Sequence, residues 1–223
     1  MPKRSTGNSA RGGRGRRPSQ LARGYLEALR AADTAGAYRI ATEALDGGMP
    51  LAGLYQEVVT PAMHELGRLW ERGAITIADE HLATALTHRV LAALRPDPRE
   101  RGDGQRPRAM LSTVEGEQHA LGLRMAGDLL EDTGYEVIYL GADTPTAALL
   151  HAVDSLSPEL LGLAATMPDR GPVLEQTVLE AHRANPRLRL LVGGQASGAL
   201  RTREALRVED LSSLPEKVRP LET

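Results

Sequence analysis

Glu117-Gln118-His119-Ala120-Leu121-Gly122 is a stretch whose residue types could do chemistry. A neutral imidazole can give one ring nitrogen to a metal. Its other N–H then needs an acceptor, and a nearby carboxylate orients the ring and raises its basicity. Glu117, two residues before His119, is a candidate for that carboxylate, and Gly122 would let backbone and ligand approach closely. A lone histidine at a helix start can also be a capping or surface residue. A second constellation is Trp70, nine residues, and then Glu80-His81. A tryptophan at a helix end and a Glu–His pair on the next helix can form one pocket wall. The plainer alternative is a core anchor burying about 150–250 Å² of indole, beside a capping and surface pair.

The elements that must carry these residues fall into two patterns. From about Gln20 to Leu94 the pattern is helical, with Leu21, Tyr25, Leu26 and Leu29 at three- and four-residue steps. Asp33 or Thr34 can cap a second helix that runs to Gly47-Gly48. A third segment carries Leu51, Leu54, Tyr55 and Val58, restarts or kinks at Thr60-Pro61, and continues to Trp70. Thr76 with Asp79 reads as a capping box opening a fourth helix. Four such stripes with short connections predict a small bundle over 20–95. Residues 96–107 are rich in Pro, Gly and charge and read as a linker. Beyond it, strands are expected at 109–114, 135–140, 160–166 and 188–192. Helices are expected between them at about 119–133, 145–156 and 172–184. Such alternation predicts a parallel sheet wound on both faces, over 108–223. Ligands of these sheets sit beyond the C-terminal strand ends, which is where His119 falls.

The spacing of the strand-end residues carries a resemblance. Glu117, His119 and Gly122 resemble the DxHxxG motif of the cobalamin-binding Rossmann family, with Glu for Asp. Residues 123–163 then span 41 positions before Ala164-Ala165-Thr166, and 167–192 span 26 before Gly193-Gly194. These intervals are those that separate the family's SxL and GG motifs. Ala164 replaces the serine and Thr166 the leucine, which removes the serine hydroxyl and leaves that of Thr166 as its candidate replacement. Leu140-Gly141-Ala142-Asp143-Thr144-Pro145, expected as a loop after the second strand, also looks like the family's. The resemblance implies a base-off cobalamin, with His119 as lower cobalt ligand. It implies a slot of small residues (Ala164, Gly193, Gly194) for the nucleotide tail. The expected fold class is α/β: a four-helix bundle cap and a Rossmann-like (flavodoxin-like) parallel five-stranded cobalamin-binding domain.

Within that family, Trp70 with Glu80-His81 looks like the WxxxxxxxxxEH motif of CarH-type photoreceptors, and Gly193-Gly194-Gln195 and the Gly141–Asp143 segment agree. The resemblance makes Trp70, Glu80 and His81 candidates for the upper, adenosyl-bearing face. Glu71 stands where that group can place a histidine after the tryptophan. CarH-type proteins carry a DNA-binding domain before the bundle, whereas here a short basic segment precedes it. The expectation is therefore a signalling protein, not an enzyme, that holds adenosylcobalamin, responds to light and acts through a partner protein, with a homo-oligomer expected. Some related photoreceptors, the photocobilins, also hold biliverdin. The chain has no cysteine, so a thioether-linked bilin is impossible and a noncovalent one stays open. The alternative is a methyl-carrying corrinoid protein of a methyltransferase system. Those typically show GDVHDIGK where this chain has Gly116 to Leu123.

Composition sets outer bounds. The absence of cysteine removes disulfides and thiolate chemistry and fits a cytoplasmic protein. No apolar run approaches a membrane span. Six of the 27 basic residues lie in residues 1–20 with no acid, leaving 21 bases against 29 acids in the rest. An acidic body argues against nucleic-acid binding by the folded part. The basic tail, 1–19, reads as disordered and could touch nucleic acid or an acidic partner. A solvated tail with no partner accounts for it equally well.

Overall fold

The structure, a computed structural model, describes residues 19–95 and 106–218. The expected basic tail (apart from Ser19), most of the expected linker and residues 219–223 lie outside the described residues.

The N-terminal part is built from α1 (Gln20–Arg30), α2 (Thr34–Asp46), α3 (Leu51–Leu54), α4 (Thr60–Glu71) and α5 (Ile77–Ala93). Caps set the helix starts. The Ser19 hydroxyl accepts from Ala22 N–H and the Asp33 carboxylate from Gly36 N–H. Thr76 and Asp79 satisfy each other's backbone N–H in a capping box. Tyr25, Leu29, Leu54, Val58, Leu66 and Val90 fill the bundle core, and Ala37 and Ala41 keep α2 close to its neighbours.

The third rod departs from the expected kink. Between α3 and α4 the backbone forms a π-helical turn, Tyr55–Val59, and runs into α4 through Pro61. Proline lacks the N–H that an α-helix interior uses. The wider turn before it bonds Thr60 N–H to Tyr55 C=O, so the rod continues instead of breaking. This turn aims the Tyr55 side chain out of the bundle toward the second half of the molecule.

That half is a parallel sheet of order β2-β1-β3-β4-β5. Its strands are β1 (Arg108–Val114), β2 (Glu136–Thr144), β3 (Leu160–Ala164), β4 (Arg189–Gly193) and a two-residue β5 (Leu206–Arg207). α6 (Leu121–Asp132) and α9 (Leu214–Val218) share one core with the bundle and one sheet face, through Leu111, Leu123, Leu129 and Leu191. α7 (Thr146–Leu156) and α8 (Gly171–Ala184) cover the other face, on Met110, Leu161, Leu163 and Val192. Central β1 and β3 are buried almost throughout, as strands covered on both sides must be. In this strand order the chain reverses direction between β1 and β3, and ligands of such folds bind in the crevice there.

Two expectations about β2 change. The Gly141–Asp143 segment is not a loop after the strand. β2 runs on to Thr144, with register shifts against β1 on either side of Ser112. Bulges of this kind re-aim side chains beside functional sites. Here the irregular stretch brings Asp143 against the loop that follows β1.

Candidate functional site

The site is best built outward from Glu117. It is fully buried, yet every carboxylate lone pair that matters is used. Oε1 accepts His119 N–H at 2.8 Å and lies 2.6 Å from His119 Nδ1. Oε2 reaches across to the loop after β3 and accepts the N–H groups of Thr166 (2.7 Å) and Met167 (2.9 Å). One carboxylate thus ties the ends of β1 and β3 together where the fold places its crevice. Burial pushes the Glu117 carboxyl up. The N–H groups of Met167, His119 and Thr166 and the imidazole outweigh that, and hold it below the usual carboxylate range.

His119 lies in the loop before α6, with 60% of its side chain exposed. With Nδ1 held against the Glu117 carboxylate, Nε2 is the ring nitrogen that has no hydrogen bond among the described residues. A single oriented imidazole does not by itself hold a bare ion. Among the described residues no group of three or more His, Cys, Asp or Glu is placed to do so.

Thr166 contributes its backbone N–H to this network. The Asp143 carboxylate accepts Gly116 N–H and the Gln118 amide. Gly122 sits in the first turn of α6, with no heavy atom within 4 Å of where a Cβ would stand. Ala164 is buried at the end of β3, and Gln195 is exposed at the start of a short 3₁₀ turn.

On the bundle, Trp70 ends the α4 rod with 45% of its surface exposed, too open for a core anchor. Glu80 and His81 pair with each other, Nδ1 to Oε2 at 2.7 Å, and Thr84 donates to the other Glu80 oxygen at 2.9 Å. Among the described residues no hydrogen bond or ion pair joins Trp70, Glu80 or His81 to the strand-end loops. The structure therefore brings together Glu117, His119, Thr166 and Asp143, and leaves the bundle residues as a separate group.

One cluster lay beyond reach of the motifs. Tyr55 Oη donates to Asp128 Oδ2 at 2.7 Å, and Asp128 is 3% exposed on the α6 face that meets the bundle. Arg124 and Arg95 bring their Nε atoms to 3.4 and 3.6 Å from Asp128 Oδ1, ion pairs without hydrogen-bond geometry. Arg95 also pairs with Glu131 and Asp132. The only hint in the sequence is an aspartate among Met125, Leu129 and Leu130 on α6.

A carboxyl held below its ordinary value stabilises the fold above its unfolded value, and that share is lost as pH falls through the lower folded value. The unfolded value is about 4.3. Urea midpoints are therefore expected to fall on acidification below about pH 4, and Glu117→Gln should flatten that limb. The same variant leaves buried donors facing an amide N–H, at a cost of about 1–3 kcal/mol near neutral pH.

Two family models, both described as B12 binding domain, match residues 21–95 and 107–210. The HTH-type transcriptional repressor CarH of Myxococcus xanthus is 31% identical over 192 residues, covering 82% of this chain and 63% of the relative. The HTH-type transcriptional repressor CarA of the same organism is 36% identical over 139 residues, covering 60% and 44%. The chain thus spans about half to two thirds of the length of these relatives. Among solved structures, the Methanosarcina barkeri monomethylamine corrinoid protein superposes with a TM-score of 0.66 at 17% identity, covering 86% of this chain and 94% of that one.

Proposed function

The chain belongs to the B12-binding domain family, with its helical and its α/β part both matched, and from that premise we propose that it is a cobalamin-binding, light-responsive signalling protein. The observation that carries the reading is the Glu117–His119 pair at the β1/β3 crevice, which presents one free imidazole nitrogen. In this reading His119 would hold the cobalt of the cobalamin, and Glu117 would fix its tautomer and direction. Ala164, Gly193 and Gly194 form the slot for the nucleotide tail. Trp70, Glu80 and His81 form the wall over the upper face. Adenosylcobalamin, when bound, would supply a light-sensitive cobalt–carbon bond. Trp70, Glu80 and His81 would cover its adenosyl group from the bundle, and His119 would hold the cofactor from the sheet. Contacts that differ between the two states shift the packing of bundle on sheet, or the oligomer. A partner protein reads that shift. A noncovalent biliverdin is a compatible second chromophore, and a red-absorbing band after incubation with biliverdin is its test.

The deciding experiment is the absorption spectrum and elution volume of the protein loaded with adenosylcobalamin in the dark, repeated after green light, with His119→Ala alongside. A dark spectrum that converts within seconds, depends on His119 and is accompanied by a change in elution supports the reading. Binding without any light change beyond that of free adenosylcobalamin rejects light sensing. It then favours a methyl-carrying corrinoid protein, for which methyl transfer to the bound cob(I)alamin is the assay.

A further inference from the structure

Asp143 is the one residue of the candidate site that combines an uncommon backbone with a fully engaged carboxylate. Its φ is +58°, a left-handed conformation that residues with a Cβ rarely adopt. Asparagine or glycine would sit there at lower cost, so an aspartate points to a use for its charge. That use is visible. Oδ1 accepts Gly116 N–H at 2.6 Å, and Oδ2 accepts the Gln118 side-chain amide at 2.9 Å. These are the two neighbours of Glu117. The Asp143 backbone adds to the grip, because its N–H points at Thr113 Oγ1 (2.9 Å) and at Glu117 C=O (3.1 Å). Thr113 Oγ1 in turn donates to Glu117 C=O. Gly116 completes the arc with φ +77°. A Cβ there would stand 2.4 Å from Arg170 Nη1.

Two carboxylates therefore act in series. Asp143, exposed at the irregular end of β2, holds the backbone on both sides of Glu117. Glu117, buried, holds the His119 ring. Rotating the Glu117 peptide would swing its side chain away from Thr166, Met167 and His119 together. Support of this kind around a ligating histidine commonly governs metal affinity about 10- to 100-fold.

We propose that Asp143 is a positioning residue for His119, acting through residues 116–118 and not by touching the ligand. The proposal rests on the reading of His119 as the cobalt ligand. Asp143→Gly relaxes the left-handed backbone while removing both acceptors, so it separates the carboxylate's role from the strain. Asp143→Asn keeps an acceptor for Gly116 N–H, and Gln118 can turn its amide to meet the new N–H₂. Three quantities are to be measured on each full-length variant. These are amide exchange of residues 115–119 without ligand, the Kd for aquocobalamin, and the histidine-derived nitrogen splitting, identified by ¹⁵N-histidine labelling and so distinguished from that of the cofactor's own base, in the electron paramagnetic resonance spectrum of the cob(II)alamin-loaded protein.

Asp143→Gly is expected to speed exchange at Gly116 and His119, to weaken binding about 10- to 100-fold, and to lose or diminish the nitrogen splitting. Asp143→Asn is expected to restore most of all three. Gln118→Ala removes one arm from an exposed side chain and is expected to give a smaller loss in the same direction. If His119→Ala loses the splitting but Asp143→Gly keeps it, with wild-type affinity and exchange, the positioning role is overturned and the ligand assignment stands. If His119→Ala itself keeps the splitting, both fall together.

Discussion

Gly194→Ala is expected to cost on the order of 4 kcal/mol and to abolish cobalamin binding, because it strains the backbone and also overlaps a neighbour. Gly194 has φ +85° and ψ 162°, a region essentially restricted to glycine. A Cβ there would lie 2.2 Å from the carbonyl oxygen of Ala165 and 2.6 Å from its carbon. That obstacle is backbone, and it is pinned: Ala165 N–H bonds Gly193 C=O, and Ala196 N–H bonds Ala165 C=O. Relief would require parting the ends of β3 and β4. Gly193 is the contrasting control. The nearest atom to its Cβ position is 4.0 Å away, so Gly193→Ala should change stability by less than about 1 kcal/mol, the cost of an ordinary contact. Urea unfolding of the two variants checks the difference. Aquocobalamin titration of Gly193→Ala then asks whether the proposed nucleotide slot needs the missing side chain even where the fold does not.

Asp128→Ala is expected to destabilise the protein by about 3–5 kcal/mol, the usual consequence of stripping one member from a buried ionic cluster. Arg124 would lose its carboxylate, and Arg95 would keep only Glu131 and Asp132. Burial holds the Asp128 carboxyl above its ordinary value, although the Tyr55 hydroxyl and both arginines pull it down. Burial lowers Arg95 as well, but its three carboxylates win and its charge is favoured. The two ends of the cluster therefore differ. Asp128, deepest in the seam, carries the desolvation cost, whereas Arg95 spreads its charge over three partners. A raised carboxyl contributes stability below its unfolded value of about 3.9 and loses it as pH rises through the folded value. Asp128→Asn keeps an acceptor for Tyr55 and removes that penalty, so near neutral pH it should cost clearly less than Asp128→Ala. Tyr55→Phe should cost about 1.5–3 kcal/mol, the worth of a hydrogen bond to a charged group. A double-mutant cycle between Tyr55 and Asp128 should give a coupling above about 0.5 kcal/mol. Additivity would mean that bundle and sheet are not joined through this pair.

Much of this molecule was legible from residue order alone, because much of it is decided within a few residues. Helical stripes at three- and four-residue steps, the Thr76–Asp79 box and the apolar runs of β1 and β3 are local patterns, and each appears within two residues of its expected bounds, β3 ending at Ala164 and not at Thr166. The strand-end spacing likewise placed His119 beside the crevice, since element lengths in a parallel sheet set where each loop emerges. What the tertiary structure decided was everything that joins residues far apart in the chain. Glu117 reaches 49 and 50 residues forward to Thr166 and Met167. Asp143 turns back 27 residues to Gly116, and Tyr55 meets Asp128 across 73. Gly193 and Gly194 are the same letter twice, and only the positive φ of Gly194 and the Ala165 backbone beside it make one indispensable to the fold and the other spare there. Periodicity records which face of an element is buried. It does not record which buried polar group will find which partner, because that follows from how two elements with no common sequence neighbourhood come to rest against each other.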